Sequence, residues 1–179
     1  MRKLIVMSSL AALFGVILAG SFVGCDGPDY PEAGGDGGEG FIYAIGPELV
    51  DSEGNTTSSD MLSDKDYVLL YFSAEWCPPC REFTAKLVDF YDEYAEAGNL
   101  ELVLISADRS EADMYDYMQN YDMDWLALPY DRRDESGLAE KYGVRGIPKL
   151  VAIDGDGNVI KDSDRDGHVE MLEELVGKF

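Results

Sequence analysis

Tyr67-Val68-Leu69-Leu70-Tyr71-Phe72-Ser73-Ala74-Glu75-Trp76-Cys77-Pro78-Pro79-Cys80 joins an unbroken apolar run to two cysteines three residues apart. Apolar residues at every position from Tyr67 to Phe72 mark a strand buried on both faces. Beyond Pro78 the period changes: Phe83, Leu87, Phe90, Tyr91 and Tyr94 fall at helical spacing on one face. The dithiol therefore stands at the seam between a strand and a helix. Unpaired N–H groups and the positive end of the helix macrodipole lower the energy of a thiolate at the first cysteine. That thiolate is the nucleophile of thiol–disulfide exchange. Pro78 and Pro79 suit a first helical turn, where a missing N–H is no loss, and they stiffen the ring a Cys77–Cys80 disulfide closes. Zinc is disfavoured, because a structural site needs about four ligands and only one His and one further Cys remain. A purely structural bridge of so short a span would constrain little chain entropy. The strand–helix context favours a redox dithiol.

The rest of the chain reads as alternating strands and helices. Glu48-Leu49-Val50 with a turn at Ser52-Glu53-Gly54-Asn55 predicts a short edge strand or hairpin. The helix from Pro78 is expected to run to about Ala97 and to stop at Gly98-Asn99. Leu100–Ser106 is a second buried strand. Ser110 with Asp113 opens a helix through about Asn120, and Glu135–Tyr142 predicts another, stopped by Gly143. The Met and Tyr residues of Met114–Tyr121 read as core and helix surface. Leu150–Ile153 and Asn158–Lys161 flank Asp154-Gly155-Asp156-Gly157, a hairpin signal. Val169–Val176 is a terminal helix. The expected class is α/β, with a central mixed β-sheet flanked by helices on both faces.

Ahead of this domain, expected over 41–179, two segments read differently. Residues 1–24 have the pattern of a secretory signal: Met1-Arg2-Lys3, a mostly apolar stretch from Leu4 to Leu18, then Ala19-Gly20-Ser21. Phe22-Val23-Gly24-Cys25 is similar to a bacterial lipoprotein box, with Cys25 as the lipidated residue. Residues 25–40 are then an acidic, Gly-rich tether with almost nothing to bury. Several acyl chains on Cys25 would hold the protein at a membrane surface, on the extracytoplasmic, periplasmic side. This assignment also uses up the third cysteine, which would otherwise be an unpaired thiol in an oxidising compartment. Net charge is −22; removing Arg2 and Lys3 leaves 12 basic against 36 acidic residues, or −24. Such a balance excludes nucleic-acid binding and charge-driven docking on anionic lipid.

Four stretches resemble the thioredoxin fold and, within it, the tryparedoxin and nucleoredoxin branch. They are Leu70–Arg81, Val103-Leu104-Ile105-Ser106-Ala107-Asp108, Trp125-Leu126-Ala127-Leu128-Pro129-Tyr130-Asp131, and Tyr142-Gly143-Val144-Arg145-Gly146-Ile147-Pro148. Together they cover about residues 48–161 in the family's order. The resemblance implies that Cys77 attacks and Cys80 resolves, and that Trp76 packs over the pair. It also implies that Pro148 is a cis-proline beside the dithiol, leaving the Ile147 backbone to meet an extended substrate segment. Tyr71 stands where ordinary thioredoxins carry a buried Asp, as it does in the tryparedoxin branch. That leaves water or Glu75 to take the Cys80 proton. Lys149 follows Pro148 where many relatives carry Thr, and a cation there would favour the thiolate. The implied activity is protein-disulfide reduction by a monomer, with protein disulfides as substrates, a thiol as electron donor and no cofactor beyond the dithiol. An oxidase or isomerase of secreted proteins is the alternative within enzymes.

Asp162-Ser163-Asp164-Arg165-Asp166-Gly167, with Glu173 six residues on, also fits a calcium-loop pattern. Asp162, Asp164 and Asp166 offer side-chain oxygens, His168 a carbonyl and Glu173 a bidentate carboxylate. The entering segment Val159-Ile160-Lys161 reads as strand, however, where the motif needs a helix. The preferred expectation is an acidic turn with an Asp N-cap, and a calcium-binding lipoprotein on the same scaffold is the alternative outside enzymes.

Overall fold

The computed structural model describes Phe41, residues 44–163 and residues 167–178. In chain order the elements are β1 (Glu48–Val50), β2 (Thr56–Ser58), β3 (Tyr67–Ser73), α1 (Pro78–Tyr94), β4 (Leu100–Ser106), α2 (Glu111–Asn120), β5 (Leu126–Ala127), α3 (Leu138–Lys141), β6 (Lys149–Ile153), β7 (Val159–Ser163) and α4 (His168–Val176). Among the described residues the strands form one sheet in the order β2-β1-β5-β4-β3-β6-β7. β3, β4 and β5 run parallel, and the outer pairs are antiparallel, so the sheet is mixed as expected.

The unbroken apolar run of β3 is explained by its two covered faces. Leu69 and Tyr71 point into a core shared with Phe83, Leu87 and Phe90 of α1, Tyr117 of α2 and Leu175 of α4. Val68, Leu70 and Phe72 point the other way, against Phe41, Ile45, Leu62, Leu138 and Tyr142. A strand so placed has no polar face to show. In register, Tyr71 sits between Leu104 of β4 and Leu150 of β6.

Both hairpins are present. Asp51 Oδ1 accepts from the N–H groups of Glu53 and Asn55, and Asp154 Oδ1 does the same for Asp156 and Asn158. Gly54 and Gly157 supply the left-handed residue at each turn, with φ of 82° and 79°. β1 is not the edge, because Val50 pairs with Ala127 and β2 lies outermost.

Three boundaries differ from the sequence reading. α1 ends at Tyr94 rather than Ala97, with Ala95 as its cap. The helix expected over Glu135–Tyr142 is only Leu138–Lys141, since Gly137 stands before it at φ 64°, a left-handed conformation that no helix can run through. The expected Asp N-cap of α4 is absent. Gly167 occupies that position, and it has no side chain with which to cap the helix. No described helix is long and apolar enough to cross a membrane.

Candidate redox site

The site is built where β3 ends and α1 begins. Cys77 is the N-cap of α1, in extended backbone, with prolines filling the first helical positions. Cys77 and Cys80 form a disulfide with their Cα atoms 5.2 Å apart. The two sulfurs sit in unlike surroundings: Cys77 keeps 5% of its surface exposed and Cys80 none. Chemistry that begins from solvent must therefore begin at Cys77.

β6 starts beside the end of β3, and the register pairs Phe72 with Lys149. This brings the preceding Ile147–Pro148 peptide, which is cis, to the dithiol. The Ile147 carbonyl oxygen lies 3.9 Å from Cys77 Sγ. Trp76 is half exposed, and its indole N–H donates to the Ala107 carbonyl at 3.0 Å. The ring is thus tethered to the loop after β4 while much of it stays open to solvent.

Asp108, which the sequence reading passed over, holds the dithiol loop in place. Its Oδ1 accepts the Glu75 N–H at 2.8 Å and its Oδ2 the Ser106 hydroxyl at 2.8 Å. It is 4% exposed, and burial pushes its carboxyl above the usual carboxylate range. With the Ala107 N–H donating to Ser73 O at 2.7 Å, the loop after β4 grips the Glu75-Trp76 turn at several points. The signal available in the sequence was an acidic residue two positions after a mostly apolar strand.

Lys149, expected to favour the thiolate, is engaged by a carboxylate. It is buried, and its ammonium lies 2.5 Å from the Asp162 carboxylate. The cause is register: Lys149 and Asp162 stand at neighbouring positions of β6 and β7, and a buried ammonium requires a partner. Glu75, offered as a proton acceptor, is partly buried, with Oε1 3.5 Å from Asn120 Nδ2.

Of the calcium pattern, the described residues are Asp162, Ser163, Gly167, His168 and Glu173. Asp162 lies within β7 opposite Val151, and Glu173 is exposed on α4. His168 is buried at the start of α4, its Nδ1 sharing a hydrogen bond of 2.6 Å with Ser163 Oγ. Asp164 and Asp166 lie outside the described residues, as do Cys25, the signal segment and the tether.

Comparison with known proteins agrees with this geometry. The family model described as "Thioredoxin-like" matches residues 64–159, which include the dithiol and Pro148. Nucleoredoxin of Xenopus laevis is 42% identical over 137 residues, covering 75% of this chain and 32% of that protein. Tryparedoxin of Trypanosoma brucei brucei is 50% identical over 94 residues, covering 52% of this chain and 64% of that protein. The solved structure of tryparedoxin II from C. fasciculata superposes with a TM-score of 0.67 at 37% identity, covering 76% of this chain and 91% of that one. The chain spans about a third of the length of the nucleoredoxins it matches. On the matched residues, and on a dithiol at a strand–helix seam beside a cis-proline, the chain belongs to the thioredoxin-like family.

Proposed function

We propose that this protein is a thiol–disulfide oxidoreductase that reduces protein disulfides from a lipid-anchored position outside the cytoplasm. The observation that carries the chemistry is the unequal setting of the two sulfurs, Cys77 at the mouth of α1 and Cys80 sealed behind it. In the reduced protein the Cys77 thiolate attacks a substrate disulfide, forming a mixed disulfide and releasing one substrate thiol. Cys80 then attacks Cys77 Sγ, which closes the internal bond and frees the second substrate thiol. The Ile147 carbonyl beside Cys77 offers an acceptor to an extended substrate segment as it docks.

Alkylation of the reduced protein tests the division of roles. Helix-terminus stabilisation acts on Cys77 and hardly on Cys80, which is also buried. At neutral pH Cys77 is expected to alkylate roughly tenfold or more faster than Cys80. Mass mapping that finds equal rates overturns the assignment.

Kinship with the tryparedoxins supports the reductase direction. The reduction potential of the Cys77–Cys80 couple checks it. A couple more reducing than the disulfides offered to it is expected, and one as oxidising as a disulfide-forming oxidase overturns the direction.

The lipoprotein box at Cys25 supports the anchored location. Cys25→Ala is expected to release the protein into the soluble extracytoplasmic fraction or to leave its signal uncleaved. Wild-type protein recovered soluble, with a cleaved and unmodified N-terminus, overturns the anchor.

A further inference from the structure

Four buried hydroxyls meet under the resolving cysteine. The Tyr71 hydroxyl donates to the Cys80 carbonyl at 3.1 Å, and Thr84 Oγ1 donates to the same oxygen at 2.9 Å. Tyr71 and Thr84 stand 2.9 Å apart. Thr84 is 2.5 Å from the Tyr117 hydroxyl, which is 2.9 Å from Ser73 Oγ. Three elements contribute: β3 gives Tyr71 and Ser73, α1 gives Thr84, and α2 gives Tyr117. None of the four side chains is exposed.

Packing alone does not call for this arrangement. A buried hydroxyl costs stability unless it is bonded, and Phe at 71 and 117 with Val at 84 would fill nearly the same volume. Burial pushes the Tyr71 and Tyr117 phenols above the ordinary tyrosine range, so both keep their protons and act as donors. Four hydroxyl protons serve five contacts, so at least one contact always lacks its own proton. The set can change arrangement while at least one donor stays on the Cys80 carbonyl.

We propose that Tyr71 and Thr84, backed by Tyr117 and Ser73, are positioning residues for the resolving step of the exchange reaction, and this inference rests on that reaction. While the disulfide is closed, the S–S bond itself fixes the first turn of α1. Once it opens, that turn is free to fray, as helix termini do. The hydroxyls then tie the Cys80 backbone to the sheet. In the step they serve, the Cys80 thiolate attacks Cys77 Sγ, the Cys77–Cys80 bond forms, and the bond from Cys77 to the substrate sulfur breaks. The proton given up by Cys80 ends on the released substrate thiol. An intramolecular attack of this kind depends steeply on the placement of the reacting atoms.

The test mixes the reduced full-length chain with an equimolar aromatic disulfide whose released thiolate absorbs visible light. The first equivalent of colour reports attack by Cys77 and the second reports resolution by Cys80. Thr84→Val and Tyr71→Phe are expected to slow the second phase about tenfold or more while leaving the first phase within about twofold of wild type. Thr84→Ser, which restores a hydroxyl, is expected to recover the second phase. Unchanged second phases in folded variants overturn the proposal, and so does a Thr84→Ser chain as slow as Thr84→Val. Should Tyr71→Phe fail to fold, the Thr84 pair decides the matter alone. A wild-type chain that releases no first equivalent overturns the exchange reaction itself, and this inference with it.

Discussion

Cys77→Ser is expected to abolish reduction of insulin disulfides, lowering the rate by about a thousandfold or more while the protein stays folded. The physical ground is the nucleophile. A serine hydroxyl at the N-cap is essentially un-ionised at neutral pH, so the stabilisation offered by the α1 terminus has no anion to act on. Sequestered Cys80 cannot substitute, because no part of it reaches solvent. Cys80→Ser is expected to behave differently: attack by Cys77 survives, resolution does not, and mixed disulfides with substrate accumulate for mass spectrometry to identify. Insulin reduction at the wild-type rate by folded Cys77→Ser would leave the dithiol a structural staple and the domain a binding scaffold.

Leu87→Ala is expected to cost about 2–5 kcal/mol of unfolding free energy, out of the roughly 5–15 kcal/mol typical of a domain. Leu87 is wholly buried on α1, within the core formed with Leu69, Tyr71 and Leu104. Its loss opens a cavity that β3 and β4, bonded along their whole length, cannot close. Leu87 lies two turns beyond Cys80 on the face that seats α1 on the sheet, so the damage reaches the dithiol through the helix. Urea unfolding of the oxidised protein measures the effect. A loss below about 1 kcal/mol would show that α1 is not seated on the sheet as described.

The sequence made the dithiol seam, the two buried strands and both hairpins legible, because each is written in residues close along the chain; the cis-proline was legible only through the family resemblance. Its failures are all matters of distance or of length. β5 is two residues long, too short for any periodicity to register, and is defined by its pairing with Val103 and Leu104 on one side and Val50 on the other. α3 is cut to one turn by a left-handed Gly137, whose φ nothing in its neighbours announces. Lys149 was read by its nearness in sequence to Pro148, yet β7 lies alongside and supplies Asp162. The hydroxyls of Tyr71, Thr84 and Tyr117 come from positions whose spacing assigns them to the core, and only the packed structure shows that their polar tips converge. Asp108 belongs to the same kind: its partner is an N–H that lies 33 residues away.

An open sheet edge is a template for a foreign strand, and a protein that leaves one unguarded risks being polymerised. Both edges of this sheet are guarded against that fate. β2 is three residues long, Thr56-Thr57-Ser58, entirely exposed and without an apolar side chain to reward a docking strand. β7 carries the exposed Val159 at its start, but Lys161 and Asp162 follow, and a register irregularity at Ala152/Ile153 disturbs the ladder behind it. Charges and bends of this sort act as gatekeepers against fibril growth. Neither edge therefore offers a foreign strand a long, flat, apolar row to pair with.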